Sequence, residues 1–227
     1  MRKPILLGLL CVAFGLNSAW ASVTGSTDPT LFQDAVDWCV QYGCVNTPFQ
    51  IAAPAPWTSA GGNTGMVGNA GSALPLQVWQ QSVSWIGNYP ANMGGLYNGF
   101  DTIGNPPDGL AATFNLGLYG AGAYIQANLY GPFTATVTLF DSSLQPLGSY
   151  TANGSSDTLV GTALFIGAYI NTPSVWAVRF DVVDANGDNS TGIGTMRLQT
   201  SSVPEPCTLM LVGTSALGLL GVVRRRL

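Results

Sequence analysis

No histidine occurs in the 227 residues, and only 8% of them are charged. The scarcity is sharper between residues 22 and 202. That stretch has no lysine, no glutamate, two arginines (Arg179 and Arg197) and ten aspartates, a net charge of −8. A Ser-His-Asp triad, a Cys-His pair, a histidine metal site and a Schiff-base lysine all lack a required partner there, leaving only carboxylate chemistry on aspartates. The expectation is a non-catalytic domain. Without clustered cations, a nucleic-acid partner is excluded as well.

The missing charge of one sign is found at the two ends. Arg2 and Lys3 precede an apolar run from Ile5 to Leu16, and Ala19-Trp20-Ala21 has the small-x-small form of a cleavage site. Residues 1–21 therefore read as a secretory signal peptide cut before Ser22. Cys11 follows Leu10, and a lipoprotein cysteine would follow a small residue. At the other end, Val203-Pro204-Glu205-Pro206 breaks any regular element, and an uncharged segment from Cys207 to Val223 leads to Arg224-Arg225-Arg226. Seventeen residues at a rise of 1.5 Å make about 25 Å of helix, just short of a hydrocarbon core of about 30 Å, so 207–223 is expected to be a single transmembrane helix with a cationic stop.

That order of elements resembles the PEP-CTERM sorting signal of Gram-negative bacteria, also called the ice-binding-protein C-terminal domain. The matching positions are Pro204, Glu205 and Pro206 for the box and Arg224, Arg225 and Arg226 for the basic tail. The resemblance implies an inner-membrane anchored precursor that a membrane enzyme, exosortase, recognises and processes on the way to the cell surface or exopolysaccharide matrix. It covers about 25 residues and names a destination; the body between must be read separately.

Residues 22–202 suffice for one extracytoplasmic domain with its own core. Cys39 and Cys44, in an oxidising compartment, are expected to form a short-loop disulfide, since metal and redox readings need ligands or a spacing that are missing. Asp28 and Pro29 start a helical signal, with Phe32, Ala35, Val36, Cys39 and Val40 at helical spacing up to Gly43, so one short N-terminal helix is expected there with Asp34 and Asp37 on its solvated face. Residues 47–72 carry proline and glycine without periodicity and read as a long loop. Eight candidate strands follow: Gln77 to Ile86, Leu110 to Tyr119, Gly122 to Leu129, Thr134 to Phe140, Leu147 to Thr151, Thr162 to Ile170, Val175 to Val183 and Gly194 to Thr200. Ala135, Val137 and Leu139 alternate with threonines, and Trp176, Val178, Phe180 and Val182 supply a second apolar face. The expected fold is all-β, an antiparallel β-sandwich of jelly-roll type. The stretch from Leu110 to Thr200, with T-V-T-L-F-D, L-G-S-Y and F-I-G, also resembles the extracellular part of other PEP-CTERM proteins.

Three sets of residues are candidate sites. Asp184, Asn186 and Asp188 place oxygens at positions 1, 3 and 5 of a calcium loop, but Asn189 and Thr195 replace the glycine and the bidentate glutamate, and an Asn-Gly hairpin turn accounts for the same residues. Asp101 and Asp108 flank Asn105-Pro106-Pro107 and read as turn formers rather than a hydrolytic pair. The aromatics Trp57, Trp79, Trp85, Tyr89, Tyr97, Tyr119, Tyr124 and Trp176 are candidates for sugar stacking, Trp57 and Trp85 foremost, against the ordinary role of packing. The expectation is therefore an exported, exosortase-sorted surface or matrix protein with a non-catalytic sandwich, associated with biofilm or exopolysaccharide. A carbohydrate-binding module is the alternative. An ice-binding surface comes third, since Thr134, Thr136 and Thr138 make only one short threonine row.

Overall fold

The computed structural model describes residues 22–44, 47–71, 74–84, 86–98 and 108–202. Two antiparallel sheets face each other across one apolar core. The larger has the order β1 (Thr24–Ser26), β12 (Leu164–Tyr169), β9 (Gly120–Ala127), β14 (Thr191–Gln199), β7 (Gly94–Tyr97), β6 (Leu76–Gln80) and β3 (Phe49–Ile51), and β2 (Asp34–Val36) also pairs with β14. The smaller has the order β11 (Pro146–Ser156), β10 (Gly131–Phe140), β13 (Val175–Asp184), β8 (Asp108–Leu118), β5 (Thr64–Ala70) and β4 (Ala55–Thr58). The all-β expectation holds. Among the described residues no helix is long and apolar enough to cross a membrane, and residues 207–223 lie outside them.

The alternation read in the sequence marks the core. Ala135, Val137 and Leu139 of β10 and Val178, Phe180 and Val182 of β13 are buried, and they meet Ala121, Ala123 and Ile125 of β9 and Met196 and Leu198 of β14 from the facing sheet. Burying aliphatic side chains of this size stabilises by about 1.5–3 kcal/mol each before entropy is counted.

The N-terminal helix is shorter than expected. Asp28 caps a single 3-10 turn at Pro29–Leu31, β2 follows, and only Trp38–Tyr42 is α-helical (α1), with the Asp37 carboxylate capping the N–H groups of Cys39 and Val40. The buried positions are Phe32, Asp34, Val36 and Trp38, a period of two. The helical spacing of Phe32, Ala35, Val36, Cys39 and Val40 was a coincidence of composition; Val40 is 77% exposed. Pairing of β2 with β14, Val36 opposite Met196, overrode it. The stretch 47–72 is likewise more ordered than expected, since it holds β3, β4 and β5. Its glycines hid strand β5: at Gly65 a Cβ would stand 1.8 Å from the Thr113 carbonyl oxygen and against the Trp57 ring.

The two outer faces of the sandwich differ. Over the eight-stranded sheet, Trp79, Tyr89 and Tyr97 form a second buried cluster with Ala163, and Tyr89 donates to the Gly192 carbonyl at 2.6 Å. Phe32 adds to this cover, packing on Phe165 at 5.4 Å between ring centres, and Tyr124 also packs on Phe165, at 5.3 Å. The six-stranded sheet turns a polar face outward, described below.

The first and last strands end on one row of the larger sheet. Thr24 pairs with Tyr169, Tyr169 with Gly120 and Gly120 with Gln199. Residues preceding β1 and following β14 thus leave the sandwich from the same pole.

Candidate functional site

Strand register builds the exposed face of the six-stranded sheet into three rows. Ser149, Thr138 and Arg179 form the first, Thr151, Thr136 and Asp181 the second, and Asn153, Thr134 and Val183 the third. The hydroxyls are tied across strands: Thr136 Oγ1 lies 3.1 Å from Thr151 Oγ1, and Thr134 Oγ1 donates to Asn153 Oδ1 at 3.2 Å. Arg179 Nε donates to Asp181 Oδ2 at 2.8 Å, with the two side chains 41% and 24% exposed. Opposite Arg179 the next strands carry Ala111 and then Gly68, against which Pro54 packs. Gly109, at φ +60°, admits the Asp181 carboxylate, whose Oδ1 would lie 2.4 Å from any Cβ placed there.

Two shallow depressions open on this face and share Val183. One, of about 390 Å³, is bordered by Thr134, Asn153 and Asp184. The other, of about 290 Å³, is bordered by Gly109, Thr136, Arg179, Asp181 and Asn189. Val183 is 47% exposed between them. The surface offers donors, acceptors and a few apolar side chains, Pro132, Val183 and Ala185, and no arrangement of a nucleophile with a base.

Asp34 is buried, not on a solvated helix face as expected. Its carboxylate accepts from the Ala35 and Gly61 N–H groups at 2.8 and 2.6 Å, from Asn63 Nδ2 at 2.6 Å and from the Ser59 hydroxyl. Burial by itself would raise this group, but those four donors outweigh it and hold the carboxyl below its usual value. The result is a clip joining β2 of one sheet to the β4–β5 turn of the other, and no ligand is needed to explain it. Only the period-two pattern from Phe32 to Trp38 signalled it in the sequence.

The candidate calcium residues form the turn between β13 and β14. Asp184 Oδ1 accepts from the N–H groups of Asn186 and Asp188 at 2.7 and 2.9 Å, Asp188 Oδ1 accepts from Ser190 N–H at 2.7 Å, and Gly187 sits at φ +81°. Asp184 Oδ2 is buried with no hydrogen-bond partner, which leaves one ligand direction open, while the Asn186 side chain is exposed. Among the described residues no three His, Cys, Asp or Glu side chains are grouped as a metal site. Nearby, burial pushes the Tyr97 phenol up to about 12, opposed by a hydrogen bond with Ser190 and reinforced by the charge of Asp188.

Cys39 and Cys44 are disulfide-bonded, with 4.7 Å between Cα atoms, closing the end of α1. Trp57 is 2% exposed and edge-on to Phe114 at 5.8 Å; its ring is core, the packing role that stood against its candidacy for sugar stacking. Trp85, Asp101, the Pro204-Glu205-Pro206 box and Arg224 to Arg226 lie outside the described residues, and Asp108 opens β8. Arg179 and Asp181, which the sequence reading did not single out, are the outward residues between the apolar positions of β13; that alternation was the available signal.

No protein-family model matches the chain, and no curated protein does. Among solved structures, a DUF4465 family protein from Bacteroides caccae aligns at 14% identity over 82% of this chain and 96% of that one. The TM-score is 0.33, too loose a superposition to carry fold or function across.

Proposed function

We propose that this chain is an exported, non-catalytic surface or matrix protein, a sandwich of jelly-roll type held by a transmembrane helix at 207–223 until exosortase recognises Pro204-Glu205-Pro206 and processes it. The observation that carries this reading is the shared pole of the first and last strands, reached through the row Thr24, Tyr169, Gly120 and Gln199. A leader before Ser22 and an anchor after Ser202 would then meet the domain at one pole, with the opposite pole away from the membrane. The disulfide supports an oxidising compartment outside the cytoplasm. The absence of histidine and lysine from residues 22–202 supports a binding or structural role over catalysis.

The test is deletion of residues 203–227 followed by fractionation. We expect the truncated chain to appear as periplasmic or medium-soluble protein and to vanish from the envelope and matrix; unchanged envelope levels would refute the assignment. A carbohydrate-binding role is the second reading, favoured by the polar, open face of the six-stranded sheet. An ice-binding role draws on Thr134, Thr136 and Thr138 alone, because the neighbouring row is Ser149, Thr151 and Asn153, and thermal hysteresis of the purified protein would decide it.

A further inference from the structure

We infer that the outer face of β10, β11 and β13 is a binding groove for a neutral, hydroxyl-rich polysaccharide, lying across Arg179, Asp181, Thr136, Val183, Thr134 and Asn153. This deepens the carbohydrate reading and rests on it, while placing the contact on residues other than Trp57 and Trp79, which are buried.

Three observations converge on this face. The first is asymmetry of cover. The other sheet buries its outer surface under Trp79, Tyr89, Tyr97, Phe32 and Phe165, whereas this one stays open. The second is chemistry. Hydroxyl and amide groups on adjacent strands are held in register and hydrogen-bonded to one another, so they are oriented before a ligand arrives and little ordering entropy remains to be lost on binding. Arg179 adds guanidinium donors fixed by Asp181, and Val183 offers an apolar contact between the two depressions. A sugar ring presents hydroxyl edges and C–H faces, the same two chemistries.

The third is charge. The one cation on the face is neutralised by its own partner, and residues 22–202 carry −8. A uronate or sulfated polymer would meet net repulsion with no free cation to bind it. A protein partner is a poor match, because a stable protein interface centres on large aromatic or aliphatic anchors. A neutral polyol has no such mismatch. Successive rows are two residues apart, about 6.7 Å, so the three rows span about 13 Å along the strands and engage a short stretch of chain.

The test uses the full-length chain in detergent micelles. Titration calorimetry would probe it with neutral hexasaccharides of glucose, mannose and galactose, in both α and β linkages, and with a hexauronate. We expect saturable binding of at least one neutral probe and at least tenfold weaker binding of the hexauronate. Val183→Glu, Arg179→Gln and Thr136→Val should each weaken binding at least tenfold with far-UV circular dichroism and melting temperature near wild type, and Gln77→Ala on the opposite sheet should leave it unchanged. Binding that survives all three face variants would overturn the groove and keep the carbohydrate reading. Preferred binding of the hexauronate, or no saturable binding of any neutral probe, would overturn the inference, and with no binding of either kind the carbohydrate reading falls too. None of these outcomes bears on export, which the tail deletion tests separately.

Discussion

Asp34 is the single residue whose removal should damage this sandwich most selectively. The residue is 8% exposed, and its carboxylate receives four hydrogen bonds, three from the turn at residues 59–63 and one from Ala35. A hydrogen bond to a charged group contributes about 1.5–3 kcal/mol, but four bonds to one carboxylate are not additive, and part of the turn reaches water once released. Asp34→Ala should therefore cost about 3 kcal/mol, which lowers Tm by about 10 °C for a domain of this size. Asp34→Asn keeps an acceptor for Ala35 and Gly61 but sets an amide donor against Asn63 Nδ2, so its cost should be smaller. Because the folded carboxyl is held below its unfolded value, its contribution is complete above the unfolded value of about 3.9 and fades as pH falls through the folded one. The gap between wild type and Asp34→Ala should then be full at pH 7 and shrink as pH drops from about 5 toward 3. Urea unfolding across that range, with coincident fluorescence and circular dichroism transitions, measures it. A variant within about 0.5 kcal/mol of wild type at pH 7, or a gap that does not narrow in acid, would refute the clip.

Other outcomes follow from the same structure. Reducing the Cys39–Cys44 bond, or replacing both cysteines with serine, should cost about 2 kcal/mol, since the closed loop is short, and urea unfolding with and without reductant reads the difference. Tyr89→Phe removes the hydroxyl that donates to the buried Gly192 carbonyl and should lower stability by about 1–2 kcal/mol in the same assay with the fold intact by circular dichroism. Trp57→Ala should cost about 3–5 kcal/mol as a core truncation and leave the saccharide Kd of the folded fraction unchanged, whereas a stacking platform would show the reverse. The turn at 184–190 is satisfied largely by its own hydrogen bonds, so millimolar calcium or a chelator should move Tm by no more than about 1 °C; a rise of several degrees abolished by Asp184→Asn would instead assign the buried Asp184 Oδ2 to a cation.

Composition and periodicity settled the fold class, because a strand with one buried face writes its orientation as a period of two. The threonine and aliphatic alternation of β10, and that of β13, placed those strands within a few residues. The disulfide was legible from two cysteines close together in a stretch expected to be exported. Phe32 to Val40 was misread because Phe32 and Val36 fit both periods, and only the partner strand β14 chose between them. Strands β3, β4 and β5 were hidden by glycine and proline, whose places in a sheet depend on what packs against them, as the Thr113 carbonyl and Trp57 do at Gly65.

What the chain alone determined is therefore what depends on residue type and near neighbours: the lack of histidine and, between residues 22 and 202, of lysine, the alternating strands, and the short disulfide. Tertiary structure decided what depends on residues far apart in sequence. It turned Asp34 inward to meet a turn 25 to 29 positions away, set Trp79, Tyr89, Tyr97, Phe32 and Phe165 over one sheet, and brought Thr134, Asn153 and Val183 into one row of the other. A side chain's type limits the chemistry it can perform, but only the register of strands from distant parts of the chain decides which side chains stand together and which of them face water.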